Sequence, residues 1–376
     1  VLLSVNAGSS SLKVSVFDRE NLQVPHASLA IEDIGISGET PQTAAQRVQQ
    51  WLSSELAIQP EQIEAIGHRV VHGGQEYDSA ALVTPDLLTY LQSITPLAPN
   101  HMPGTLASIT AFLAAYPNAD HVACFDTGFF HDVPGVAKTL PIPLSLQQEN
   151  GIRRYGFHGL SYTALLASFK DNEGEAAHNG RVIMAHLGSG ASVSACKDGQ
   201  PIDMSMGFTP ISGIMMSTRS GDLEPGLITY LEKEKGMSPD ELADLFANKS
   251  GLLGVSGTTA NMRTLLEMQD EDPNSKLAVE LFCYKIKKTI GAYTAALGGV
   301  DSIIFSGGIG ERSAEIRARI LSDMEFFGIV IDNVRNQQGA RLISNDRSRV
   351  GVHVIPARED YAIMTQTINV INKETQ

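Results

Sequence analysis

Arginine, histidine and carboxylate recur together in short polar clusters along this chain, each where an apolar run gives way to glycine or proline. "GHRVVHGG" (67–74) supplies His68, Arg69 and His72, and "FDTGFF" (125–130) puts Asp126 at the end of a β-prone run. "RRYGFHGLSY" (153–162) offers His158 between glycines before a helix. "STRSGDLEPG" (217–226) sets Arg219 in a tight loop, and "PAREDYAI" (356–363) opens a helix with Arg358, Glu359 and Asp360. Arginines and a histidine suit anionic groups, which they relieve of charge repulsion. Taken singly, each cluster has a plainer account: a structural ion pair for the arginine, a helix cap for the aspartate, a turn residue for the histidine.

Small-residue turns accompany these clusters. "SVNAGSSSLKVSVF" (4–17) places Asn6, Ala7, Gly8 and three serines between two β-prone runs. Successive backbone N–H groups in such a turn form a concavity for an anion, phosphate first, although an ordinary hairpin has the same pattern. "VIMAHLGSGASVSAC" (182–196) repeats strand, turn and strand, with Gly188 falling on Gly8 and His186 on Asn6. The chain reads as an internal duplication. A third glycine turn, "IIFSGGIGE" (303–311), follows an apolar strand and leads into a helix from about Glu311, whose N-terminus favours an anion.

Periodicity predicts the elements that must position these groups. Strands are expected near 1–5, 11–17, 64–71 and 120–125, with helices near 41–57 and 103–116. A Pro- and Gly-marked passage from Pro134 to Gly159 precedes the second hairpin. Helices from Pro225, at 238–247 and over Pro273–Leu297 follow, then a strand at 301–306 and a last helix from Pro356 that crosses back to the first domain. The fold class is α/β in two halves.

With 376 residues, 43% of them hydrophobic, the chain is long enough for two domains with sizeable cores, and no apolar run approaches a membrane span. A β-prone run beginning at Val1 predicts no secretory leader. Cys124, Cys196 and Cys283 are odd in number and far apart, which suits a reducing cytoplasm better than disulfides or zinc. The net charge of −14 speaks against nucleic acid or an anionic membrane as partner.

Read together, "LLSVNAGSSSLK", "GHRVVHGG", "FDTGFF", "RYGFHG", "AHLGSGASVSA", "MSMGFTP", "MSTRSGDLEPG", "GLLGVSG" and "FSGGIGER" stand in the order and spacing of the acetate kinase family, which the chain resembles from end to end. The resemblance implies a duplicated ribonuclease-H-like (actin-like ATPase) fold, two domains around a nucleotide cleft. Residues 1–145 with 360–376 would form the first domain and 146–359 the second. It implies phosphoryl transfer from ATP to acetate, magnesium or manganese as metal, and a homodimer.

Position by position, the resemblance puts Asn6, Ser9, Ser10, Ser11 and Lys13 near the phosphates and the metal, with Asn6 and Glu359 as metal residues. His186, Gly188, Ser189 and Gly190 would hold phosphates; Asn261, Met262, Arg263 and Gly307, Gly308, Ile309, Gly310 and Glu311 would hold the adenosine. Arg69, Asp126, His158 and Arg219 would be catalytic, with Arg69, Val71, Asn100, His101, Phe157 and Pro210 around the acyl group. Asn100 has a second reading, as cap of a helix beginning near Pro103.

The chemistry is consistent. A carboxylic acid of pKa about 4–5 is already ionised at neutral pH, so it needs no general base, only relief from repulsion. This chain departs from the family at Ser189, where Asn is common, at Asn261 for Asp, at Ser217 for Gly and at Asn100 for Leu. Other readings are a propionate or short-chain acyl kinase, a sugar-type kinase with Asp126 as general base, and a non-catalytic nucleotide-binding module.

Overall fold

Val- and Leu-rich runs at the start of the chain form β1 (Leu2–Ala7) and β2 (Leu12–Phe17), joined at the first glycine-serine turn. The computed structural model describes residues 1–8, 11–32, 34 and 38–374, so the expectation for Ser9 and Ser10 lies outside the described residues. β3 (Ala27–Ile31), β4 (Ala65–Val70), β5 (Ala81–Leu82) and β6 (Asp120–Phe125) complete a sheet of order β3-β2-β1-β4-β6-β5. β1, β2 and β3 are antiparallel neighbours, while β1, β4 and β6 run parallel.

The second half repeats this plan. β7 (Arg181–Leu187), β8 (Ala191–Lys197), β9 (Gln200–Met204), β10 (Ser302–Ser306) and β11 (Gly351–Val354) form a sheet of order β11-β10-β7-β8-β9. An antiparallel meander is again flanked by parallel strands. Register repeats as well: Asn6 faces Lys13 across the first hairpin, and His186 faces Ser192 across the second. This is the duplicated actin-like ATPase plan that the resemblance implied.

The chain divides into two compact units. One holds Val1–His131, Phe157–Ala164 and the chain from Arg358 onward; the other holds Asp132–Gly156 and Leu165–Ala357. Against the expected division at 145/146 and 359/360, residues 132–145 fall in the second unit, and 157–164 with 358 and 359 in the first.

In the first unit, alternation sends Leu3, Val5 and Ile66 to one face, where Val48 and Leu52 of the helix Pro41–Glu55 and Phe112 of the helix Met102–Ala115 cover them. Leu2, Ala65, Val122 and Cys124 point the other way, toward Ala362, Ile363 and Met364 of the helix Glu359–Glu374. Close approach of that helix requires Gly67, since a Cβ there would strike Thr367 and Ile363. In the second unit the helix Pro273–Leu297 packs across β7 and β8. Asp272 caps it, accepting from the Asn274 and Ser275 N–H groups, and Gly298 at φ 70° ends it.

Some elements depart from expectation. The third glycine turn is itself helical, over Gly307–Arg312, and the last helix starts at Glu359 instead of Pro356. The passage from Pro134 to Gly159 contains the short helices Gly135–Lys138 and Leu144–Asn150, and Gly159 opens a longer one to Glu173. That longer helix buries Leu160, Tyr162, Ala164, Leu165 and Phe169, so its apolar residues encircle it and leave little 3.6-residue periodicity to detect.

Candidate active site

Counting by twos from Leu2, Ala65 and Val122 reaches Asn6, Arg69 and, one step past the end of β6, Asp126. The fold thus delivers all three to the carboxyl edge of the first sheet, on the side covered by the C-terminal helix. Glu359 is the first residue of that helix. Arg69 donates from Nε (3.1 Å) and Nη2 (2.8 Å) to Asp126 Oδ2, and from Nη1 (3.2 Å) to Asn6 Oδ1. Asn6 Nδ2 donates to Glu359 Oε2 at 2.7 Å, and Arg69 Nη1 stands 3.9 Å from the same oxygen.

Asp126 is fully buried and the Arg69 side chain is 16% exposed. Burial works against the Arg69 charge, but Asp126 and Glu359 outweigh it and hold its pKa above the ordinary arginine value. Burial pushes the Asp126 carboxyl up; Arg69 and the Leu160 N–H oppose the rise, and Glu359 adds to it. Asp126 Oδ1 is buried without a hydrogen-bond partner among the described residues. An open buried acceptor costs about 1–3 kcal/mol, so this atom marks a place that a ligand completes.

His158 enters the following helix at φ 62°, the left-handed region that bulky residues seldom adopt. Gly159 N–H donates to the Asp126 carbonyl at 3.1 Å, which ties this step to the end of β6. Backbone strain beside a buried carboxylate singles out His158 as a positioned group. Phe157 and Val71 are buried; the Phe157 ring meets His72 edge-on at 5.6 Å, and His72 Nδ1 accepts from Gly74 N–H at 2.8 Å. Lys13 is exposed opposite Asn6. The helix expected near Pro103 begins at Met102 and its cap position falls to His101, which corrects the reading of Asn100 as the cap; Asn100 is exposed.

The second unit builds the equivalent edge with a histidine between two serines. His186 stands between Ser192 and Ser306 in the row that Lys13, Asn6 and Arg69 occupy in the first sheet. Gly188 N–H donates to the Gly190 carbonyl at 3.0 Å, and Ser217 N–H to the Ser189 carbonyl at 3.1 Å. Gly307, at φ 76°, allows β10 to turn against β7, because a Cβ there would meet the Leu187 carbonyl oxygen at 2.7 Å. Glu311 Oε1 accepts from Gly307 N–H (3.0 Å) and Ala357 N–H (2.9 Å), so its carboxylate holds backbone. Asn261 caps the helix Met262–Met268, its Oδ1 accepting from the Arg263 and Thr264 N–H groups. Arg219 Nη1 donates to the Pro210 carbonyl at 3.0 Å.

A cavity of about 900 Å³ lies in this unit. Of the residues expected at the nucleotide, Gly188, Ser189, Asn261, Met262, Arg263, Gly308 and Ile309 line it. His186, Gly190, Gly307, Gly310 and Glu311 shape the strand ends and the helical turn without lining it, and Lys13 belongs to the first unit. The lining also includes Ser217, Thr218, Leu266, Glu267, Arg312, Ser313 and Glu315, which the site reading omitted. Helical spacing from Arg263 reaches Leu266 and Glu267, a signal available in the sequence.

Comparison with known proteins places this geometry. Residues 1–365 match the acetokinase family. An acetate kinase of Rhodopseudomonas palustris is 39% identical over 386 aligned positions, covering 96% of each chain. The crystal structure of Porphyromonas gingivalis acetate kinase matches with a TM-score of 0.89 and 34% identity, over 98% of this chain and 99% of that one. A propionate kinase from Francisella tularensis matches with a TM-score of 0.90 and 30% identity, over the same shares.

Proposed function

Because the chain belongs to the acetokinase family, we infer that it transfers the γ-phosphoryl group of ATP to acetate, reversibly, giving acetyl phosphate and ADP. The observation that carries the reading is the linked chain Asp126–Arg69–Asn6–Glu359 at the edge of the first sheet. A guanidinium has five N–H donors. Asp126 and Asn6 engage Nε and one donor on each Nη, which fixes the plane of Arg69 and leaves one donor on each Nη for an incoming carboxylate. We assign Arg69 to hold acetate, and Arg219 and His158 to stabilise the phosphoryl group during direct in-line attack. The acetate oxygen is already anionic, so no step requires Asp126 as a base.

Magnesium fits the donor set. Asp126 and Glu359 against Arg69 leave surplus negative charge, and Asp126 Oδ1 is open. Among the described residues no three His, Cys, Asp or Glu gather as a cage, which agrees with an ion that takes one or two carboxylates and keeps water and phosphate oxygens. Bound there, magnesium or manganese would neutralise phosphate charge. Asn6, with both amide ends engaged, orients Arg69 and Glu359, and as an amide it adds no further negative charge beside the acid.

The acyl group is assigned to Val71, Phe157, Pro210, His101 and Asn100. Propionate is the second reading, favoured by the likeness to a propionate kinase. The domains would be those of the two compact units. No described helix is long and apolar enough to cross a membrane. We assign the enzyme to the cytoplasm, because Cys124, Cys196 and Cys283 are free and buried, and to a homodimer, because the helix Pro225–Lys235 buries none of its residues. Incubation with ATP, magnesium, acetate and hydroxylamine tests the function: acetohydroxamate should accumulate, and its absence would defeat the reading. A sugar-type kinase or a nucleotide-binding module would trap nothing.

A further inference from the structure

The cavity of the second unit has two unlike ends. At one, Ser217 bonds to Ser189 and Gly307 packs on Leu187, so hydroxyls and glycines gather where β7 and β10 stop. At the other, Gln269, just past the helix Met262–Met268, donates to Glu315 at 3.3 Å, and Glu267 lines the wall. Backbone N–H groups and hydroxyls suit phosphate oxygens, whereas carboxylates repel them. A nucleotide with its phosphates at the first end and its base at the second would match this charge distribution.

Glu267 at that second end has an unusual status. It follows Arg263 by four residues, the spacing of a helical ion pair, and both line the cavity. Yet they form no pair, and the carboxylate and the guanidinium both lack any side-chain partner among the described residues. Glu315 in contrast is held by Arg319 at 2.5 Å and by Gln269. In a chain of net charge −14, an unpaired carboxylate in a polyanion's cavity weakens binding unless the ligand itself donates to it. The exocyclic amino group of a base is such a donor.

We propose that Glu267 is a specificity-determining residue of this cavity, accepting a hydrogen bond from the amino group of the nucleobase, so that adenine is preferred to the same purine without its amino group. This rests on the nucleotide-kinase reading and adds to it which part of the nucleotide is read. Glu267 is exposed, so the preference is modest, about fivefold, well below that of a buried hydrogen-bonded pair. The test compares binding of ADP and purine riboside 5′-diphosphate by calorimetry, in the wild type and in Glu267→Ala, with thermal melting to confirm folding. Expected is about fivefold tighter binding of ADP to the wild type and near-equal binding of the two ligands to Glu267→Ala. An equal preference in both proteins, or none in the wild type, overturns the assignment. The corresponding triphosphates are run in the hydroxamate assay. Preferential binding without acyl phosphate would sink the kinase reading and leave this inference standing; no binding of either diphosphate would overturn both.

Discussion

Replacing Arg69 with methionine should separate what the buried charge chain does for stability from what it does for chemistry. Arg69→Met leaves the Asp126 carboxylate fully buried without its ion partner, and Asn6 Oδ1 without its donor. Removing one member of a buried pair costs about 3–5 kcal/mol, because the remaining charge is uncompensated. In a domain of this size that lowers Tm by about 6–20 °C. The sign of the pH dependence follows from burial, which already raises the Asp126 pKa and is opposed by Arg69. Without Arg69 the folded-state value moves further above the unfolded value of about 4. The variant is then least penalised below that unfolded value, and loses stability relative to wild type as pH rises through the folded pKa. The double variant Arg69→Met/Asp126→Asn removes both charges and should regain at least half of the lost stability at pH 7.5. Both variants should lose about 10- to 100-fold in kcat/KM for acetate, the scale of charge-assisted hydrogen bonds to a carboxylate. Urea unfolding at pH 5 and 7.5 beside the hydroxamate assay reads all of this. If Arg69→Met is as stable as wild type at pH 7.5, or the double variant no more stable than the single, the electrostatic argument fails.

Other expectations follow from the same geometry. Arg219→Met should depress kcat far more than ATP affinity, since Arg219 is assigned to the transferring phosphoryl group and not to the base; full turnover by a folded variant would remove Arg219 from the mechanism. His68 and His121 share a hydrogen bond of 2.9 Å, and burial, with the neighbouring His121 charge acting on His68, lowers both pKa values. Their contribution is present above the unfolded value of about 6.5 and lost as pH falls through the folded values, so His68→Phe should flatten the fall in urea-measured stability between pH 7 and 5. Leu227→Asp with Ile228→Lys, on the exposed helix face, should lower the sedimentation coefficient without lowering helix content if the proposed homodimer forms there; an unchanged coefficient would refute that placement.

Local physics made much of this molecule legible. Alternation marked β1, β2, β4 and β6; the long helix was expected over the residues Pro273–Leu297 that it occupies; and the paired turns at Gly8 and Gly188 revealed a duplication that the matching registers bear out. Such signals lie within one turn or one strand, so they survive without knowledge of neighbours. The two-residue strand β5 escaped because it is too short for a period to show, and the helix after His158 was legible at its start but not in its extent, because Gly159–Glu173 is too evenly apolar.

Arginine and carboxylate clusters were visible as residue types, but not which charge meets which. Asn6 and Glu359 are 353 positions apart, and they bond because strand order sets β1 beside β4 and the C-terminal helix returns over Gly67. Glu311 and Asn261 read as nucleotide residues in sequence, but that Glu311 Oε1 holds the Gly307 and Ala357 N–H groups, and Asn261 Oδ1 those of Arg263 and Thr264, was decided by which donors lie within reach. Glu267 carried no motif at all, and its unpaired state exists only once a helix face is turned toward a cavity. Sequence specifies backbone conformation through interactions a few residues long. Charge pairing and burial depend on chain segments that meet only after the sheets have formed, and so tertiary structure alone decided them.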